Sequence, residues 1–244
     1  MGKPQIIAQV LAYNEATCLK AAVTPWIPFC KRIDILEGAF FNLSNLGFSQ
    51  RSNDGTLEIA KELEKDNPLV IRAEVHMFAN EPILRNHNLW DTAKVFGRED
   101  TVLFILDADE IYSEDDIKKC VAQIESEWET HNTWWVNFKN YVNDENTYYL
   151  GFRVPRFFKM KNARGFSGYN DVCFSDGVKQ TDINGVLPKH YSWLPIEKSM
   201  RKLSWQKAIG WEPSWLVDGK KLILNDDYYG RTGKDKPILL SETH

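Results

Sequence analysis

The chain has 244 residues, 43% of them hydrophobic and 26% charged, with a formal net charge of −4. That length can bury a substantial core, and the composition is that of an ordinary soluble globular protein. The slight acidic balance provides no general basic surface, which argues against general nucleic-acid binding as the main task.

In chain order, "PQIIAQVLAY" reads as an apolar strand ending at Asn14 and Glu15, followed by a helix from Glu15 to Val23 that Pro25 stops. The same opening run is too short and too soon interrupted for a signal peptide, and no run approaches a membrane-spanning length, so a cytoplasmic protein without a transmembrane segment is expected. "RIDILEGAF" gives a second strand, and "SNDGTLEIAKELEKD" a second helix capped by Ser52 or Asp54. "LVIRAEVHMF" is a third strand, "EPILRNHNLWDTAKVF" a third helix beginning near Pro82, and "TVLFILD" a fourth strand. Ser113 and Asp116 form a capping-box pattern that launches the helix "EDDIKKCVAQIESEWE". Past residue 130 the texture changes: "TWWVNFKNYV" and "YYLGFRVPRFFKM" read as antiparallel strands and "NARGFSGYND" as a loop. A last helix, "IEKSMRKLSWQKAI", carries Ile196, Met200 and Leu203 on one side, and "NDDYYGRTGKDKP" reads as a mobile tail. Cys18, Cys30, Cys120 and Cys173 are widely spaced and suggest neither a zinc site nor a disulfide framework.

Alternating strands and helices imply a mostly parallel sheet with both faces covered, and in such sheets ligands bind beyond the carboxyl ends of the strands. Asn14, Glu15, Glu37 and the acidic cluster after Leu106 all fall there. Asp107-Ala108-Asp109 sets two carboxylates against a buried strand, where ionised groups need a compensating partner. A hard divalent cation such as Mg²⁺ or Mn²⁺ meets that need, and such ions in turn hold diphosphates.

Seven segments, "VLAYNEA", "SNDGT", "LRNHNL", "LFILDADE", "PRFFKM", "GYNDV" and "KHYSW", taken in order over about residues 5–195, resemble the family 2 glycosyltransferases of GT-A fold. The resemblance implies an α/β fold with a mixed, mostly parallel sheet flanked by helices and a smaller antiparallel sheet on the acceptor side. It implies one domain over 1–244, with a nucleotide-sugar half at 1–112, an acceptor half at 113–195, and a C-terminal helix and polar tail at 196–244. Ala12, Tyr13 and Glu15 would border the nucleotide base, and Glu37 would stand where the family usually has an Asp near a uracil. Asp54 would belong to the loop over the nucleotide, and Arg85 and Asn86 would face the nucleotide or its diphosphate. Asp107 would contact ribose or the metal through water, Asp109 would ligate the metal directly, and His190 would complete the set. Asp171 would be the catalytic base, although relatives more often carry His-Glu where this chain has Asn170-Asp171.

The implied activity is a metal-dependent, inverting transfer of a sugar, from a UDP-sugar by preference, to a glycan, lipid-linked, protein or other hydroxyl acceptor. The cation would neutralise charge on the leaving diphosphate and a carboxylate would take the acceptor's proton. Two other classes stay open: a nucleotidyltransferase, although "LAYNEATCLK" lacks a glycine-rich basic phosphate loop, and a nucleotide- or glycan-binding module without turnover. Several residues have plainer readings. Asp176 competes with Asp171 as the base, Arg85 can pair with Glu81 on a helix surface, and Glu110 fits either support of the metal site or the cap of the next helix. Trp134, Trp135 and Trp193 are expected in the core, and His76, His87 and His131 carry no expected role.

Overall fold

The computed structural model of the protein describes residues 3–41, 47–168, 171–208, 212–232 and 234–242. It comprises two compact units, Met1–Asn137 with Arg153–Pro188 and Phe138–Phe152 with Lys189–His244. Among the described residues no helix is long and apolar enough to cross a membrane.

The first unit opens with strand β1 (Gln5–Ala12), helix α1 (Leu19–Val23) and a 3₁₀ turn over Thr24–Trp26. The α-helix ends at Val23 as the sequence predicts but starts at Leu19 and not at Glu15, and Pro25 sits in the first turn of the 3₁₀ segment that follows, where its missing N–H is not needed. Then follow β2 (Cys30–Glu37), α2 (Thr56–Asp66), β3 (Ile71–Val75), α3 (Glu81–Phe96) and β4 (Thr101–Asp107). After β5 (Glu110–Ile111) comes α4 (Glu114–Ser126), whose capping box between Ser113 and Asp116 is formed as the sequence predicts. Strands β6 (Thr133–Val142) and β7 (Thr147–Lys159) contribute residues 133–137 and 153–159 to this unit, which closes with β8 (Ala163–Phe166), β9 (Val172–Phe174) and β10 (Gln180–Asp182).

Its sheet runs β3-β2-β1-β4-β7-β6, with β10 also paired to β6. The β1, β2, β3 and β4 pairings are parallel and β7 runs antiparallel to β4. This is the mixed α/β class expected from the sequence, with small antiparallel sheets in addition to the main one. Strands buried on both faces explain the unbroken apolar runs. On one face Phe104 stacks on Phe157 at 4.4 Å and both pack against Trp26. Another cluster joins Leu103, Ile105 and Phe158 to Leu89 of α3 and to Phe166 and Val172 of β8 and β9.

The segment expected as a loop, "NARGFSGYND", contains β8 instead. Ala163 and Phe166 are buried there, and a register shift at Gly165, whose φ is +155°, lets β8 pair with β9. Neither Ser52 nor Asp54 is the terminal cap of α2; Gly55, at φ +94°, takes that position, and Asp54 Oδ1 still accepts the Thr56 N–H at 3.1 Å.

The second unit holds residues 138–142 of β6 and 147–152 of β7, β11 (Lys189–Trp193), α5 (Ile196–Ala208), β12 (Trp215–Asp218), β13 (Lys221–Leu224), α6 (Asp226–Thr232) and β14 (Leu240–Ser241). Val142, Trp193, Trp215 and Leu222 form its core, with Ile196 and Leu203 of α5 packed against it. Met200, predicted on that apolar stripe, is 50% exposed. Ser199 is buried in its stead, donating from Oγ to the Trp193 carbonyl at 2.5 Å. The segment read as a mobile tail, "NDDYYGRTGKDKP", contains the short helix α6, and before it lies the β12–β13 hairpin, whose two-residue loop has Gly219 at φ +60°.

Ser113→Ala deletes the cap oxygen that accepts the Asp116 N–H at 3.1 Å. Urea denaturation should register a loss of about 1 kcal/mol.

Candidate functional site

Strand registers align the tips on which the sequence places its ligand. Leu11 pairs with Asp107 across β1 and β4, and Ala12 pairs with Glu37 across β1 and β2, so Ala12, Glu37 and Asp107 end adjacent strands at one edge of the sheet. Ala12 is buried.

At the tip of β4 the acids have cationic partners from the chain itself. Arg156 of β7, 1% exposed, donates from Nη2 to Asp107 Oδ2 at 2.6 Å and to Glu110 Oε1. Arg85 of α3, equally buried, is paired with Glu81 and has Nη2 3.9 Å from Asp107 Oδ1. The Arg85–Glu81 pair anticipated from their spacing therefore exists, but it lies inside the protein and extends to Asp107. Guanidinium groups of the chain itself thus supply compensation at this acidic turn, where the sequence suggested a metal ion as the partner. Glu110 is fully buried. It belongs to this network and does not serve as a surface helix cap. Burial drives its carboxyl well above the usual carboxylate range, against the opposing pull of Arg156. Burial alone would disfavour the charge on Arg156, but Asp107 and Glu110 outweigh it and hold the guanidinium protonated. Burial likewise raises the Glu81 carboxyl, in spite of Arg85.

Asp107 keeps a 35% exposed side chain, whereas Asp109 is almost wholly buried. Among the described residues no three His, Cys, Asp or Glu side chains are grouped as a metal ligand set.

The residues expected around the nucleotide form a latch between two loops. Asn14, in the left-handed region at φ +55°, donates its N–H to Ser52 Oγ at 2.9 Å and accepts the Asn53 N–H at Oδ1 at 3.0 Å. The Glu15 N–H reaches Thr56 Oγ1 at 2.8 Å, and Asp54 Oδ2 accepts the Ala16 N–H at 3.1 Å. Tyr13 Oη donates to the Ser49 carbonyl at 2.8 Å, and Glu37 Oε1 accepts the Ser52 N–H at 2.7 Å. Two shielded atoms beside this latch have no hydrogen-bond partner among the described residues, Glu37 Oε2 and His76 Nδ1. His76 follows β3, donating its backbone N–H to the Glu37 carbonyl at 2.9 Å, and burial lowers its imidazole pKa. Nothing in the sequence pattern singled it out.

Asn86 is engaged with backbone: its amide brackets Phe166, accepting that N–H at 2.7 Å and donating to that carbonyl at 2.9 Å. This close approach explains Gly165, where a Cβ would lie 2.7 Å from Asn86 Oδ1. Asp171 is exposed and, together with Trp135 and Gln180, lines a cavity of about 340 Å³. Its Oδ2 lies 2.9 Å from where a Cβ on Gly168 would stand. Its rival Asp176 is paired with Lys179 at 3.4 Å and lines a different, smaller cavity. Trp134 and Trp193 are core residues as expected; Trp135, at the cavity wall, is not.

In the second unit His190 has an assignable tautomer. Asn140 Nδ2 donates to the Phe138 carbonyl at 3.2 Å, which turns Asn140 Oδ1 to His190 Nδ1 at 2.6 Å. With Asn140 Oδ1 facing it, the Nδ1-protonated tautomer is the one that makes this contact a hydrogen bond.

No protein-family model matches the chain, and no curated protein matches it. Solved structures do match at the level of the backbone. The crystal structure of GalNAc-T7 with UDP, GalNAc and Mn²⁺ aligns with a TM-score of 0.48 and 12% identity, over 78% of this chain and 44% of that one. Residues 1–349 of S. aureus TarS align with a TM-score of 0.40 and 15% identity, over 56% of this chain and 36% of that one. The inositol-1-phosphate CTP transferase from T. maritima aligns with a TM-score of 0.39 and 11% identity, over 87% and 100%. The chain thus spans less than half the length of the first two.

Arg156→Met leaves two acids without their shared cation, and denaturation should show a loss of about 3–5 kcal/mol. The pH dependence of Glu110 has a definite sign. Its raised folded pKa gives a contribution to stability that is complete below the unfolded value, about 4.3, and lost as pH climbs towards the folded value. Glu110→Gln stays neutral throughout, so its stability relative to wild type should improve over that window, and a difference independent of pH would contradict the assignment.

Proposed function

We propose that the protein is a glycosyltransferase of GT-A fold that moves a sugar, with inversion, from a nucleotide-sugar donor to an acceptor hydroxyl. The observation that most supports this is the alignment of Ala12, Glu37 and Asp107 on adjacent parallel strand tips, beside the latched loops. The nucleotide takes that edge, where open α/β sheets bind their ligands. Glu37 Oε2, shielded and without a partner among the described residues, accepts an N–H from the base. Tyr13, Glu15 and Asp54 fix the loops that border it, and Arg85 with Arg156 orient Asp107 towards the ribose and diphosphate.

Asp107 and Asp109 have the donor chemistry for Mn²⁺ or Mg²⁺. Such ions are commonly held by one or two carboxylates plus substrate phosphates, so a pair of carboxylates fits without a third protein ligand. When bound, the ion supplies Lewis-acid neutralisation of the leaving diphosphate. Asp171 takes the proton of the acceptor hydroxyl as it attacks opposite the leaving group, and that single displacement inverts the anomeric centre.

Hydrolysis of UDP-sugars tests this reading. With Mn²⁺ present, turnover is expected; chelator or Asp109→Ala should reduce it by about 10²-fold or more. His190→Ala, measured in parallel, decides whether the imidazole serves the same ion. Tight UDP binding with no turnover of any donor would leave only a binding module.

A further inference from the structure

The cavity that Asp171 lines has a composition narrower than the range of acceptors the sequence leaves open. Its volume of about 340 Å³ lies within the first unit, at the small end of ligand sites, roughly 300–1,000 Å³. Its walls combine apolar surface from Pro155 and Val178 with four polar side chains, Thr133, Trp135, Asp171 and Gln180. Thr133 and Gln180 are cross-strand partners in the β6–β10 pairing, so their polar ends come from adjacent backbone positions.

Trp135 supplies the most specific feature. Its indole Nε1–H is shielded from solvent yet has no hydrogen-bond acceptor among the described residues, and a buried donor left unpaired is unfavourable unless a ligand or water accepts from it. The Arg153 guanidinium sits over the ring at 4.2 Å, held from behind by Asp182 at 2.5 Å. One indole face is thereby covered, and the residue also lines the cavity. Among the described residues no lysine or arginine lines the space, while Asp171 brings a carboxylate. A phosphate, sulfate or carboxylate would meet repulsion there without a compensating cation.

We infer that this cavity binds a neutral pyranose, with the C–H face of the sugar against Trp135 and Val178 and its hydroxyls bonded to Asp171, Gln180, Thr133 and the Trp135 N–H. Carboxylate, amide and hydroxyl groups suit vicinal hydroxyls, and an aromatic ring suits the apolar face of the sugar. The inference rests on the proposed transfer reading only in making this sugar the acceptor. It then narrows the acceptor to a glycan end without a charge near the reacting hydroxyl, and excludes a phosphorylated sugar or a lipid phosphate in this space.

Saturation-transfer NMR and calorimetry of the whole chain with methyl α- and β-pyranosides test it, with inorganic phosphate and glycerol 3-phosphate as anionic probes. Neutral pyranosides should bind and the anions should not. Trp135→Ala should weaken binding by about tenfold or more. Val178→Arg, at a position 56% exposed and so tolerant of substitution, should abolish it by filling the opening. Failure of every pyranoside to bind folded wild type, unaltered binding by both variants, or preferential binding of the anions would overturn the assignment. Wild-type UDP-sugar hydrolysis, read separately, distinguishes the two readings. Pyranoside binding without hydrolysis leaves the cavity standing and removes the transferase reading. Hydrolysis without pyranoside binding does the reverse.

Discussion

A single guanidinium, that of Arg156, lies between Asp107 and Glu110 at the tip of β4, and the acidic turn after that strand depends on it. Three acids within four residues, at the end of a strand buried on both faces, would otherwise leave charge in a medium that solvates it poorly. Arg156 reaches them because β7 runs antiparallel beside β4, with Phe157 opposite Phe104. Arg85 approaches the same carboxylate from α3. Arg156 is shared between the two acids, of which Glu110 is fully buried and Asp107 keeps a 35% exposed side chain.

That arrangement changes how the D-x-D is understood. Asp107 is held in one orientation, with one oxygen bonded by Arg156, while its side chain keeps 35% exposure. The same economy appears at the tips of β1 and β2. There Asp54 accepts from both Thr56 and Ala16, and Glu37 accepts from Ser52, so side chains fix the loops through their backbone N–H groups. Polar residues at this edge first satisfy the peptide groups of the loops. The atoms left over, such as Glu37 Oε2, are those with ligand-binding capacity to spare.

The opposing demands on Asn86 and Trp135 illustrate why residue type alone misleads. Asn86 belongs to a stretch that resembles a nucleotide-facing motif, yet both ends of its amide hold the backbone of β8. Trp135 follows a fully buried tryptophan on the same strand and so points the other way, to the face where the cavity opens.

The sequence by itself determined the elements with strong local signals. Apolar runs specified β1 to β4, the Ser113–Asp116 spacing specified the start of α4, and the position of Asp107 at a strand end followed directly from them. It missed β8 and the β12–β13 hairpin, because a four-residue strand interrupted by Gly165 has no periodicity to detect, and the Gly219 turn signal stood in a stretch too polar to weigh as strands. Met200 and Ser199 exchanged their expected burial because helical spacing allows either to face a core whose position the helix does not encode. Only the tertiary structure could decide what neutralises the acidic turn. Arg156 lies 49 positions from Asp107 along the chain, and the choice among cation, solvent and guanidinium is made by which strand becomes the neighbour of β4.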